Sequence, residues 1–191
     1  MFRCLTAVLG LFTLAVGVDV LPARAATPRP LAVIDVPGSC VNGALHPDGD
    51  NPRWFYHCSG SIPYHKQCLS DLGFNAPLES CVLPRDLAYT TRLTAGTAWL
   101  GLLPLGLKNL NARVTVEEGE GPVPNALVTF ISTTGVTLCS GRTGFDGVAS
   151  CDAMGSLPSA DVLLGGYTAA YAGNGAASAS TAQGSVKVKV R

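Results

Sequence analysis

Charge is scarce in this chain. Asp, Glu, Lys and Arg make up 14% of its 191 residues, thirteen acidic against thirteen basic, and neither sign forms a long block. Nothing in that balance suggests an electrostatic grip on nucleic acid or on anionic lipid, which needs a field of one sign. Catalytic motifs are missing as well: there is no nucleophile elbow, no H-E-x-x-H and no phosphate-cradling loop. The carboxylates stand mostly in turns, and no pair can be singled out for sugar hydrolysis. His46, His57 and His65 read as structural or surface residues rather than bases. Metal ligation has no usable pattern either. His57, Cys58, His65 and Cys68 are close in sequence, but their spacing matches no usual zinc site. Asp48-Gly49-Asp50-Asn51 starts like a calcium loop yet lacks the later acidic ligands and the closing glutamate, so it reads as a polar turn. Glu117, Glu118 and Glu120 before Gly121 read as a solvated hairpin tip. The expectation is a protein without a cofactor or metal that is not an enzyme.

Only one long apolar run is present. Arg3 precedes Leu5–Val18, and Ala23-Arg24-Ala25 supplies small residues in an A-x-A arrangement. That is the layout of a secretory signal peptide over residues 1–25, cut between Ala25 and Ala26. The competing reading, a membrane span, needs about 18–20 apolar residues, and Asp19 and Pro22 interrupt this run first. Cys4 leaves with the peptide and six cysteines remain, an even set that suits a disulfide framework outside the cell. With no cell-wall sorting tail after Val186–Arg191, release is favoured over anchoring. The expectation is a secreted protein, off the membrane once the peptide is cleaved.

The remaining chain allows one or two small domains. Thr27–Pro30 reads as an exposed leader, and a compositional shift near 84–92, from aromatic-containing to Ala/Gly/Ser/Thr/Val-rich, marks a join. Before the join, Cys40, Cys58, Cys68 and Cys81 fall in a segment too short to fold on an apolar core alone. Arg53–His57 is a strand candidate, Ser59-Gly60-Ser61 a turn, and Ile62–Gln67 a return strand whose Pro63 suits an edge.

The spacing Cys40-x17-Cys58-x9-Cys68-x12-Cys81 resembles the peritrophin-A type, or type-2, chitin-binding module. So do Phe55-Tyr56-His57-Cys58, Leu72-x-Phe74-Asn75 and Pro84, three residues past Cys81; the resemblance covers residues 36–89. The family usually carries six cysteines, and the two missing here correspond to Pro52 and to a position near Tyr89. They pair with each other in the family, so a whole bridge is absent and no thiol is orphaned. The resemblance implies the pairs Cys40–Cys58 and Cys68–Cys81. Each closed loop contributes about 3 kcal/mol, so this module is expected to be less stable than its six-cysteine relatives.

After the join the pattern has a period of two. Leu110, Ala112, Val114 and Val116 alternate with polar residues, as do Val128 and Phe130, and Val186, Val188 and Val190. Half-buried antiparallel strands separated by Gly/Pro/Asn turns predict a β-sandwich over residues 90–191, with no helical stripe. A hairpin turning at Gly144-Phe145-Asp146 would set Cys139 opposite Cys151, within disulfide reach. Gly121–Phe130, Leu138-Cys139 with Gly147–Cys151, and Tyr167–Gly173 resemble a bacterial immunoglobulin-like domain, which implies a bacterial source.

Aromatic rings bind sugars because the C–H face of a pyranose packs on the ring while polar groups hold its hydroxyls. The candidates are Trp54, Phe55, Tyr56, Tyr64 and Phe74. Phe55 and Tyr56 must point to opposite sides of their strand. Phe55 and Phe74 are assigned to a small core, Trp54 and Tyr56 to the surface. Tyr64 is either a ligand contact or a lid on the hairpin, and Asn75 either an amide for the sugar or a turn residue. The ligand-binding set is therefore Trp54, Tyr56, Tyr64 and Asn75. The fold is expected to be mainly β: a disulfide-stapled hairpin module, able to bind by itself, followed by an immunoglobulin-like sandwich. The function expected is binding of chitin or a related N-acetylglucosamine polysaccharide. The alternative is an adhesive or structural protein whose sandwich contacts another extracellular protein.

Overall fold

The computed structural model describes residues 36–102, 104–119, 121–154 and 160–188. The expected signal peptide, the leader and Val190 lie outside the described residues. Among the described residues no helix is long and apolar enough to cross a membrane.

The chain is mainly β: a small disulfide-stabilised module precedes a multi-strand sheet domain. In the module, β1 (Leu45–Pro47), β2 (Trp54–Ser59) and β3 (Ile62–Gln67) form one antiparallel sheet in that order. Gly60 and Ser61 turn the β2–β3 hairpin with φ of 58° and 67°, the twist that a two-residue connection favours. Pro63 sits on β3, the outer strand, opposite Cys58, where its missing N–H costs least. A second small pair, β4 (Gly73–Asn75) with β5 (Ser80–Val82), follows. Disulfides join Cys40 to Cys58 and Cys68 to Cys81, with Cα atoms 5.8 and 5.7 Å apart.

The sheet domain contains β6 (Thr91–Ala95), β7 (Thr97–Leu102), β8 (Leu105–Val116), β9 (Leu127–Ser132), β10 (Thr137–Arg142), β11 (Val148–Met154), β12 (Tyr167–Tyr171) and β13 (Ser180–Val188). The strand path is β10-β9-β12-β13-β7-β8-β11, with β6 also on β8. On β8, Leu110, Ala112, Val114 and Val116 are buried while Asn111, Arg113 and Thr115 face outward, as the alternation predicts. β13 changes partner midway. Its residues 180–184 run antiparallel to β12, and 185–188 run parallel to β7. A short helix, α1 (Ala160–Gly165), buries only Val162, so it carries too little periodic signal to be read from sequence.

Cys139 and Cys151 do form a disulfide, with Cα atoms 6.3 Å apart. Its setting differs from the hairpin expected. β10 is hydrogen-bonded to β9 and β11 to β8, so the two strands are the opposite ends of the path. The bridge joins those ends and wraps the sheet around its core. The turn survives as two bonds, Gly147 N–H to Gly144 C=O at 2.9 Å and Gly144 N–H to Val148 C=O at 3.0 Å.

The two regions interpenetrate. Leu87 and Tyr89, at the end of the first, are buried in the large core of the second. Tyr89 is fixed there by its N–H to Ala176 C=O and by the Ser178 N–H to its own C=O, each 3.0 Å. In the reverse direction Phe145 leaves its turn and enters the small core of Val36, Cys40, Tyr56 and Cys58. A Cβ on Gly73 would come within 2.6 Å of Leu87 and 3.1 Å of the Pro52 carbonyl, so Leu87 packs closely against the β4 backbone.

Candidate functional site

The β2–β3 register decides which rings share a surface. Trp54 faces Gln67, Tyr56 faces His65 and Cys58 faces Pro63, and directly opposed residues point to the same side. On the other side lie Phe55 with Lys66, His57 with Tyr64, and Ser59 with Ile62. Trp54 and Tyr64, both expected to bind sugar, therefore stand on opposite faces of the hairpin and do not form one flat strip.

On the first face three rings stack. Tyr56 lies 4.6 Å from His65, and His65 lies 4.5 Å from Trp54, each pair tilted by 23°. Tyr56 is buried at 1% exposure, and His65 and Trp54 are both only partly exposed. Tyr56 was expected at the surface, and its placement is a correction. Its ring meets the edge of Phe145 at 5.1 Å, a contact supplied by a loop far downstream that strand alternation alone could not reveal. Burial and the neighbouring Asp48 carboxylate push its phenol well above the ordinary tyrosine range.

Asp48 is the hub beneath the stack, and sequence reasoning missed it by reading residues 48–51 as a plain polar turn. Its side chain is 3% exposed. His65 Nε2 donates to Oδ2 at 2.7 Å, and the Asp50 N–H and Asn125 Nδ2 donate to Oδ1 at 2.8 and 3.0 Å. Burial would raise this carboxyl. The hydrogen bonds from His65, Asp50 and Asn125, with the charge of His65, outweigh it and hold the group below its usual range. The neighbouring backbone is gripped as well: Asn174 Nδ2 donates to the Asp48 C=O at 2.9 Å and Tyr171 Oη to the Gly49 C=O at 2.8 Å. His46, packed near Phe145 at 6.1 Å, has its pKa lowered by burial, with Glu79 pulling the other way.

On the second face Phe55 stacks on the buried Phe74 at 4.8 Å, the small core expected for that pair. Tyr64 is 40% exposed, beside the Lys66 Nζ to His57 Nδ1 hydrogen bond of 2.9 Å. Asn75 is buried and spoken for at both ends: Nδ2 donates to the Asp86 C=O at 2.8 Å, and Oδ1 accepts the Leu78 N–H at 3.0 Å. It holds the β4–β5 loop. Asn75→Ala is expected to cost about 1–3 kcal/mol, read as a lower denaturant midpoint, with sugar retention at low denaturant unchanged. Arg53 closes the same edge through a bond from Nη2 to the Ser70 carbonyl.

Residues 38–89 match the model of the Chitin binding Peritrophin-A domain. The match spans under a third of the chain and takes in both N-terminal disulfides and the whole ring stack. The family is one of extracellular binding modules rather than catalysts, and it supports chitin binding in general. No curated protein and no solved structure matches the chain. Of the residues involved, His65 could have been found from sequence: once the turn is set at Gly60-Ser61, parity puts it between Trp54 and Tyr56. Asp48 could not, because its partners Asn125 and Asn174 are 77 and 126 residues away.

Proposed function

We propose that this chain is a secreted carbohydrate-binding protein that holds chitin or a related N-acetylglucosamine polysaccharide against Trp54, with residues 90–191 as an immunoglobulin-like support. The observation that carries the reading is the three-ring stack Tyr56–His65–Trp54 inside the span matched by a chitin-binding family. A ring held from beneath by two others loses little freedom on binding, which favours stacking against a pyranose. Tyr64, on the far face, would make a separate and weaker contact, with Lys66 and His57 nearby as polar groups. Asn75, its amide occupied at both ends, serves the site only by shaping the loop.

The test is retention of the mature chain on insoluble chitin, cellulose and peptidoglycan. Trp54→Ala is expected to weaken chitin retention roughly 5- to 160-fold, the loss of about 1–3 kcal/mol from one stacked ring, with the fold intact by circular dichroism. Tyr64→Ala should have a smaller effect. Tyr56→Ala should lower stability first, because its ring is core. If the Trp54 and Tyr64 variants both bind like wild type, or wild type is not retained, the chitin reading fails and the adhesive alternative takes its place.

A further inference from the structure

The sheet domain has an exposed tryptophan of its own. Trp99, on β7, is 38% exposed on the outer surface, while its neighbours Ala98 and Leu100 point into the core. Lysines flank it on both sides. The register sets Lys108 of β8 opposite Trp99 on one side and Lys187 of β13 opposite it on the other. Lys–Trp–Lys thus forms one row across three strands. Two residues along β7, Gly101 faces Gly106, and the Lys108 stem lies over Gly101, since a Cβ there would sit 2.8 Å from Lys108 Cε. Two residues the other way, the hydroxyls of Thr97 and Ser185 meet at 3.0 Å. Neither lysine belongs to an ion pair among the described residues. Asp152, one strand further on, is engaged by the Asn109 N–H at 2.7 Å.

An indole presents a face for the C–H side of a pyranose, and two cations unpaired across it call for an anionic substituent on that sugar. We infer that this row is a second glycan-binding site, for polysaccharides whose pyranose rings carry carboxylates. The ring would stack on Trp99 with its carboxylate reaching Lys108 or Lys187, and the Thr97–Ser185 pair would meet hydroxyls at the edge. The site is independent of the chitin reading: it lies outside residues 38–89 and uses none of the hairpin rings.

The probe is hyaluronan, whose repeat carries one glucuronate, run against neutral soluble chitin oligosaccharides in affinity electrophoresis of the full mature chain. Wild type should be retarded by hyaluronan, and the retardation should fall as salt rises. Trp99→Ala should weaken it roughly ten-fold, and Trp99→Phe should restore part of it. Lys108→Gln with Lys187→Gln should abolish the salt dependence. Trp54→Ala should leave hyaluronan retardation unchanged while reducing chitin retention, so that the two sites fail separately. The Trp99 and lysine changes are at the surface, and their melting curves should overlay that of wild type within about 2 °C. Absence of hyaluronan retardation, a Trp99→Ala protein that binds as wild type does, or retardation insensitive to both lysines would overturn the inference.

Discussion

Phe145→Ala is expected to destabilise the whole chain by about 3–5 kcal/mol, the usual cost of emptying an aromatic site in a core. For a chain of this length that is roughly 6–20 °C of thermal midpoint. The residue sits in a turn of the sheet domain, where a substitution would ordinarily be mild. It is nevertheless 3% exposed, edge-on to Tyr56 and part of the core that holds the Cys40–Cys58 bridge. The damage should therefore appear first in the other region, as a change in Trp54 fluorescence before the sheet melts. A Phe145→Ala protein whose midpoint stays within about 2 °C of wild type would show that the ring is not the plug described.

Asp48→Ala is the second large effect. Removing one partner from a buried pair leaves His65 and the Asn125 amide without their acceptor, at a cost of about 3–5 kcal/mol at neutral pH. The pH dependence follows from the sign of the shift. The native carboxyl lies below its usual range, so the unfolded chain binds more protons in that window and stability rises with pH there. The contribution is complete above the ordinary aspartate value of about 3.9 and fades as pH falls through the native one. Urea midpoints of wild type and Asp48→Ala should differ most near pH 7 and converge towards pH 2. His46, lowered by burial, adds a loss of stability as pH drops below its ordinary value of about 6.5, and that loss should persist in the variant. Parallel pH profiles for the two proteins would sink the assignment of Asp48 as the acid-sensitive hub.

Both effects bear on what could be read in advance. The strands of residues 105–116 and 127–132 follow from alternation, because one face of each is buried and the other is wet. The β2–β3 hairpin follows from its turn residues and from the proline on its edge. The N-terminal cysteine pairs were available through a family pattern, and Cys139–Cys151 through spacing, although the latter closes a sheet path rather than a hairpin. The facing of Tyr56 was not legible. Alternation says that Phe55 and Tyr56 diverge, but which side is covered depends on Phe145 and on Asn125 holding Asp48 beneath His65. Those are contacts of high sequence separation, invisible to local pattern. The same holds for Leu87 and Tyr89, which lie within the matched span yet are buried in the core of the sheet domain, a placement their local sequence does not reveal.

The close seam at Gly49 has a further consequence. A Cβ there would fall 2.6 Å from the Ala126 backbone, and the Gly49 N–H reaches the Pro124 C=O at 2.8 Å, so the chain has no swivel at this point. Proteins that carry a sugar-binding module on a flexible tether let their cargo sweep a volume around each attachment point. Here the cargo would be clamped at one azimuth. If the hairpin holds chitin and the Trp99 row binds a second polymer as proposed, each row would stand at a fixed angle to its own point of attachment. A second polymer that matched that angle would meet several contacts at once, while one that did not would meet single ones.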